Sequence, residues 1–111
     1  MKHYLYLISG LLAVFFCVAP AWGAAKVSYI NVDGTTLVFS IAEDKTVASP
    51  ACVLTDDAEK WALDLTSQAG ISSYNILLTA VANNLKIAVE SAGDCGARDG
   101  IERPKSVALA Q

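Results

Sequence analysis

The sequence predicts a β-rich α+β fold: a small barrel or a curled antiparallel sheet, with one packed helix and one disulfide. Three observations lead to this prediction. Several short segments alternate apolar and polar residues, which is typical of strands with one buried face. A single segment has apolar residues at helical spacing. Cys52 and Cys95 enclose a stretch that is predicted as strand, helix and strand, so one covalent bond would close the centre of the domain.

The start of the chain has the features of a cleavable secretory signal. Lys2 is followed by an almost wholly apolar run from Tyr4 to Ala19, and small residues precede the boundary at Gly23. The run falls short of the roughly 20 apolar residues that a membrane-spanning helix needs, so we expect cleavage and no membrane insertion. Cleavage is expected after Gly23 or, as the second choice, after Ala25. The protein is then exported, to the periplasm or outside the cell.

Removal of residues 1–23 leaves residues 24–111, which are enough for a single domain. The full chain carries 8 basic and 11 acidic residues, a net charge of −3, and has no basic cluster. Nucleic acid and anionic membrane surfaces are therefore poor partners for it. The one histidine, His3, lies in the signal, which excludes histidine-based catalysis and histidine-bound metal from the mature domain. We expect no enzymatic activity, no cofactor and no metal site.

Cys52 and Cys95 are the only cysteines after residue 23. In an exported chain, such a pair most simply forms a disulfide. In the chain-entropy description, closing a loop of this length stabilises the fold by about 4 kcal/mol. A catalytic cysteine is disfavoured because no histidine is present to activate the thiol, and a redox pair is disfavoured because the Cys-x-x-Cys spacing is absent.

The apolar alternation predicts strands in six places. The first two are joined by Asp33-Gly34, a residue pair that accepts positive φ in a tight hairpin turn. The third is a short strand that carries Cys52. The predicted ranges are 26–32, 36–41, 51–55, 61–65, 85–90 and 106–110.

The helix is predicted over residues 68–82. Thr66 and Ser67 can cap its start, and Asn83-Asn84 can end it in a left-handed conformation. Gly70 weakens the first turn by roughly 1 kcal/mol relative to alanine. One apolar stripe is expected to face the sheet, and it consists of Tyr74, Leu77, Leu78 and Val81.

The sequence predicts that aromatic side chains lie in the core and that charged side chains lie at the surface. We expect four aromatic residues in the core: Tyr29, Phe39, Trp61 and Tyr74. The loops 42–50 and 96–104 are polar and are expected to be exposed, the second one also mobile. Asp94, Asp99 and Glu102 are interpreted as solvated loop acids, because they lack the spacing of a calcium loop. The cluster of Asp56, Asp57 and Glu59 lies at a turn before a strand and is interpreted as a solvated loop or cap, not as a catalytic carboxylate pair.

Four short motifs carry a resemblance that covers nearly the whole mature chain. They are Pro50-Ala51-Cys52-Val53, Trp61 to Thr66, Tyr74 to Ala80 and Gly93-Asp94-Cys95. With these motifs the chain resembles a group of small exported bacterial proteins and the B subunits of bacterial AB-type pentameric toxins. That resemblance implies an oligonucleotide/oligosaccharide-binding (OB)-like barrel, a ring of subunits and an exposed face that binds glycans. No glycan-contacting residue of the toxins can be matched to a position in this chain.

Together these observations predict an exported binding module whose ligand is a glycan or a protein, with a homo-oligomer as one expected form. The candidate partner-binding residues are Arg98, Asp99 and Arg103, in the charged loop after the second cysteine. The alternative is a structural or inhibitory envelope protein that acts through contacts at the edge of its sheet.

Overall fold

The computed structural model of the protein describes residues 24–110, so the predicted signal over residues 1–23 lies outside the described residues. The predicted fold class is confirmed: five antiparallel strands form one curled sheet, not closed into a barrel, with one helix and one disulfide. No helix in this part of the chain is long and apolar enough to cross a membrane. The sheet order is β3-β2-β1-β4-β5. The elements are β1 (Ala24–Asp33), β2 (Thr36–Ile41), β3 (Trp61–Asp64), α1 (Gln68–Asn83), β4 (Lys86–Ser91) and β5 (Pro104–Ala110).

The first two strands form the predicted hairpin, with the turn one residue later than expected. Asp33 still pairs with Thr36, so the turn residues are Gly34 and Thr35. Gly34 has a φ of 65°, a conformation that residues with a side chain rarely adopt. The glycine therefore fixes the turn, and the turn fixes the register of β1 against β2.

The sheet curls because β1 pairs with different neighbours along its length. Its first three residues, Ala24 to Lys26, pair with β4, whereas its pairing with β2 runs from Val27 to Asp33. At the far ends of the sheet, β3 meets the segment before β5: Trp61 and Glu102 form a parallel bridge, and the Ala62 amide donates to the Glu102 carbonyl at 2.9 Å. This single bridge brings the two ends together without closing the sheet.

The main core lies between the inner face of the sheet and α1. Its buried members come from β2, β3, β4 and the helix, and they are Leu37, Phe39, Trp61, Leu63, Leu77, Ala80, Ile87 and Val89. Phe39 and Trp61 are buried as predicted, and Tyr74 packs against this core. Tyr29 is 47% exposed, so its assignment to the core was wrong. It alternates with Ile30, which pairs with the buried Phe39, and therefore Tyr29 points to the opposite, open face of β1.

A second, smaller core lies on the outer face of the sheet. Val38 and Ala62 alternate with main-core residues and so point outward, where Ile101 covers them. The prediction that the whole loop 96–104 is exposed was therefore wrong: its second half, including Gly100, Ile101, Glu102 and Pro104, is buried. The side chain of Ile101 holds the loop against the sheet, because its burial covers the apolar side chains of Val38 and Ala62.

The ends of α1 match the predicted capping residues. The Ser67 hydroxyl accepts a hydrogen bond from the Gly70 amide at 2.9 Å, and Asn84 ends the helix with a φ of 56°. Gly70, which weakened the prediction, has a packing reason. A Cβ atom at this position would overlap the carbonyl oxygen of Asp64, so only glycine allows the first helical turn to lie on the end of β3.

The predicted apolar stripe of α1 is only partly correct. Leu77 is fully buried, but Leu78 is 44% exposed and Val81 is 50% exposed. The buried line instead passes through Gly70, Leu77 and Ala80, because small residues let the helix approach the sheet closely along that line. The helix consequently presents Leu78 and Val81 to solvent together with Ile71.

The predicted strand over residues 51–55 is not formed. Residues 51 and 52 lie in a turn, and Thr55–Asp57 form one turn of 3₁₀ helix. The Val53 amide donates to the Pro50 carbonyl at 3.1 Å and the Leu54 amide to the Gly100 carbonyl at 2.9 Å. These amides are used within turns and loops, so the segment has no strand partner.

Two adjacent leucines of α1 provide a matched test of this packing. Leu77→Ala removes a fully buried side chain and should cost about 2–5 kcal/mol of unfolding free energy through lost burial and a residual cavity. Leu78→Ala makes the same chemical change at an exposed position and should cost less than about 1 kcal/mol. Urea denaturation of both variants measures the difference. Equal losses would mean that the helix is rotated from the orientation described.

Candidate functional site

The three predicted partner-binding residues do not form one cluster of free side chains. Arg98 is exposed and its Nη2 lies 3.3 Å from Oδ2 of Asp33, at the end of β1. Arg103 is bound to Asp94 through two hydrogen bonds, of 2.8 Å from Nε and 2.7 Å from Nη2. Asp99 is exposed and has no ion pair within residues 24–110. The two arginines therefore fasten the loop at different places, to the hairpin and to the segment around Cys95.

The Asp94–Arg103 pair organises the loop beside the disulfide. The hydrogen bonds from the Arg103 side chain, followed by that from the Gly96 amide at 2.8 Å, lower the pKa of Asp94 to about 2. The same pairing raises the pKa of Arg103. The Arg103 amide also donates to the Asp94 carbonyl at 2.8 Å, so side chain and backbone hold the same contact. Arg103 therefore has a structural role in this loop.

The predicted disulfide is confirmed. Cys52 and Cys95 are bonded, their Cα atoms lie 6.1 Å apart, and 43 residues separate them in sequence. The bond joins the turn before the 3₁₀ helix to the loop that covers the outer face of the sheet. It therefore anchors the residues that lead to the buried segment Gly100 to Glu102.

A buried ion pair connects the two loops. Glu102 is 3% exposed, and its Oε1 lies 3.0 Å from Nζ of Lys45, whose side chain is 7% exposed. The interpretation of Glu102 as a solvated acid was wrong, and the loop 42–50 is not wholly solvated, because the Lys45 side chain leaves it to reach the interior. Nothing in the local sequence separates Glu102 from the other loop acids, since its partner is 57 residues away.

Other groups complete the surroundings of this pair. The Lys45 ammonium donates to the Lys60 carbonyl at 2.7 Å and lies 4.1 Å from the centre of the Trp61 ring, a cation–π contact. The Ser91 hydroxyl donates to the second Glu102 oxygen. Both charges are thus neutralised and hydrogen-bonded, which buried ions require. The Trp61 indole N–H is buried without a hydrogen-bond partner in the described part of the chain.

A pocket of about 110 Å³ opens beside the ion pair. Its walls include the apolar side chains of Ile41, Val47, Trp61 and Val89. Around them lie the acidic residues Glu43, Asp44 and Glu90, and the polar residues Lys45, Thr46, Ser91 and Glu102 complete the lining. Because β2, β3 and β4 each contribute one end to this region, the curl of the sheet creates the pocket.

A second surface feature is the open edge of β1, which we define as Ser28 to Asp33. All six residues are exposed. Tyr29 to Asp33 pair with β2, and among residues 24–110 no strand pairs with the other side of this stretch, since the pairing with β4 ends at Lys26. From Ser28 to Val32 the edge carries no charge and no proline. Val32 is 48% exposed, so apolar as well as backbone groups are open to contact.

Comparisons with protein-family models, with curated proteins and with solved structures found no match to this chain. Within residues 24–110, no group of three or more histidine, cysteine, aspartate or glutamate side chains is placed to hold a metal ion. The acids of the loop before β3 have other contacts: Asp57 lies 3.1 Å from Nζ of Lys60, and Glu59 accepts from the Lys45 amide at 2.8 Å. The pocket and the open edge of β1 therefore remain as the candidate binding features.

The buried ion pair should respond asymmetrically to mutation. Lys45→Met leaves the Glu102 carboxylate buried without its cation and should cost about 3–5 kcal/mol of unfolding free energy. The double variant Lys45→Met/Glu102→Gln removes both charges and should recover part of that loss. Lys60→Met removes a lysine from an exposed pair and should cost less than about 1 kcal/mol. Urea denaturation of the three variants checks this, and a Lys45→Met variant as stable as Lys60→Met would contradict the buried-pair description.

The contribution of the Asp94–Arg103 pair to stability should be lost as the pH falls into the acid range. The pKa of Asp94 is 3.8 in its ordinary state and about 2 in the fold, so the unfolded chain takes up the proton first as the pH falls. The contribution is complete above the unfolded pKa and is lost as the pH falls through the folded one. Asp94→Asn should therefore flatten the fall in unfolding free energy between about pH 5 and pH 2, measured by urea denaturation. Asp99→Asn is the control, and an equal effect in both variants would exclude a specific role for the pair.

Proposed function

We propose that this chain is an exported protein-binding module that acts through the open edge of β1, and that the partner pairing there is a second copy of the chain. The observation that carries the proposal is the run of six exposed residues, Ser28 to Asp33. Five of them pair with β2, and none pairs with a strand on the other side within residues 24–110. Oligomer formation is then the first step of its function.

The backbone of this edge has the chemistry of a strand acceptor. Unpaired amides and carbonyls along an exposed strand form a ladder when another extended chain aligns with them. Folded proteins usually protect such edges with lysine, proline or inward-pointing charge. The stretch Ser28 to Val32 carries none of these, although a bulge between Val27 and Tyr29 disturbs one end. An edge left open in this way is suited to binding.

A second copy fits the edge by symmetry. Two identical strands pair antiparallel about a two-fold axis perpendicular to the sheet, and this arrangement keeps the same face of each sheet on the same side. With the axis at Asn31, Ile30 lies opposite Val32 of the second copy and Tyr29 lies opposite its Asp33. The pairing places apolar side chains together on the inner face, and no two like charges face each other across it.

Export of the module is supported by the disulfide. The pairing of the residues after Gly23 distinguishes the two expected cleavage sites. Ala24 to Lys26 pair with β4, and Ala25 is buried. Cleavage after Gly23 leaves these residues in place, whereas cleavage after Ala25 would remove two of the three. The first of the two expected cleavage sites is therefore the one compatible with a complete β1.

Glycan binding, which the toxin resemblance implies, stays an expectation. None of the described residues is distinguished as a sugar contact by the structure, whereas the open edge has defined chemistry for a protein strand. The protein alternative is therefore the one that this proposal adopts.

The self-pairing is tested by measuring the mass in solution of the exported protein by light scattering. The unmodified protein should be a dimer or larger at micromolar concentration. Asn31→Lys should give a monomer, because it places two positive charges at the two-fold axis, and Asn31→Glu should do the same with negative charges. A mixture of the two variants should regain the oligomer, since opposite charges then face each other.

Ala48→Lys/Ser49→Lys is the control, because it adds positive charge to an exposed loop away from the edge. It should keep the mass of the unmodified protein. A strict monomer at all concentrations would exclude the second copy as the partner, and an oligomer that persists in both Asn31 variants would move the interface to another surface.

A further inference from the structure

We propose that the pocket beside the Lys45–Glu102 pair binds a small organic cation: an ammonium group attached to a short apolar body. This inference is independent of the proposed self-association, because the pocket is lined by residues outside the open edge of β1. The ligand class follows from the shape of the pocket, from its charges and from the contact between the Lys45 ammonium group and the Trp61 ring.

The shape of the pocket selects a small and partly apolar ligand. Its volume of about 110 Å³ exceeds what single water molecules need and suits a short alkyl chain. Ile41, Val47 and Val89 supply aliphatic walls, and the ring of Trp61 supplies a flat one. Removing a hydrocarbon chain from water into these surroundings is favourable.

The charge of the pocket selects the sign of the ligand. Its lining contains four carboxylates, on Glu43, Asp44, Glu90 and Glu102, and one ammonium group, on Lys45. Lys45 and Glu102 neutralise each other at 3.0 Å, and Glu90 is paired at 4.0 Å with Lys105, which does not line the pocket. Glu43 and Asp44 are exposed and have no ion pair within residues 24–110. The remaining field is therefore negative, and it attracts cations.

Lys45 does not oppose a second cation, because its positive charge is already satisfied. Its ammonium group contacts the Glu102 carboxylate, the Lys60 carbonyl at 2.7 Å and the face of Trp61 at 4.1 Å. These contacts also show which chemistry the site accepts: the wall of the pocket already holds one alkylammonium group, with an aromatic face and oxygen atoms as its partners. A ligand with the same head group finds the unpaired carboxylates of Glu43 and Asp44 at the opening.

The test uses three probes that share a four-carbon chain: n-butylammonium, 1-butanol and butyrate. Each is titrated into the isotope-labelled exported protein while NMR follows the indole N–H of Trp61 and the amides of Ile41 and Val89. Butylammonium should shift these signals saturably, 1-butanol should bind at least about threefold more weakly, and butyrate more weakly still. Absence of saturable shifts with butylammonium, or equal affinity for the cation and the alcohol, would overturn the proposal.

Paired variants test the part played by the carboxylates. Glu43→Gln/Asp44→Asn removes two charges at the pocket without changing side-chain size and should weaken butylammonium about three- to tenfold. Asp56→Asn/Asp99→Asn removes the same charge at exposed positions that do not line the pocket and should leave the affinity unchanged. Equal weakening of butylammonium binding in both variants would mean that only the net charge of the protein matters, which would contradict a specific cation site.

Discussion

The Glu102 carboxylate is the group on which most of this fold depends. The backbone of Glu102 joins the segment before β5 to β3. Its carboxylate binds Lys45 from the loop after β2 and Ser91 from the end of β4. A buried carboxylate is tolerated only when such partners are present. The requirement therefore fixes two otherwise irregular loops against the sheet, and residues of both loops complete the pocket that the curl of the sheet creates.

Local sequence patterns were sufficient for most elements of the fold. Alternation and capping identified the hairpin and the helix, whose ends at Ser67 and Asn84 depend on neighbouring residues only. The orientation of the helix about its axis was predicted only in part. How closely Ala80 packs is set by the sheet, and not by the spacing of apolar residues along the helix. The Cys52 segment resembles a strand locally, but its amides bond to Pro50 and Gly100, and Gly100 lies far along the chain.

The candidate site was harder to predict than the fold, because it is formed by contacts between segments that are far apart in the sequence. Residue types in a polar loop do not reveal which side chain turns inward, so Lys45 and Glu102 could not be told apart from their charged neighbours. The open edge of β1 could not be predicted either, because the sequence predicts a strand but does not show along which of its residues each neighbouring strand pairs. Both features arise from contacts between distant segments. They lie in different parts of the fold, so the proposed self-association and the proposed ligand binding can be tested separately.

The outer-face cover formed by Ile101 has a consequence for the order of events after synthesis. Val38 and Ala62 are shielded by a loop that the Cys52–Cys95 bond ties down. In a reducing compartment that tie is missing, so the loop pays more conformational entropy to dock and the second face of the sheet is less firmly closed. For the exported protein that we propose, formation of this bond after translocation would therefore be the step that closes the outer face of the sheet.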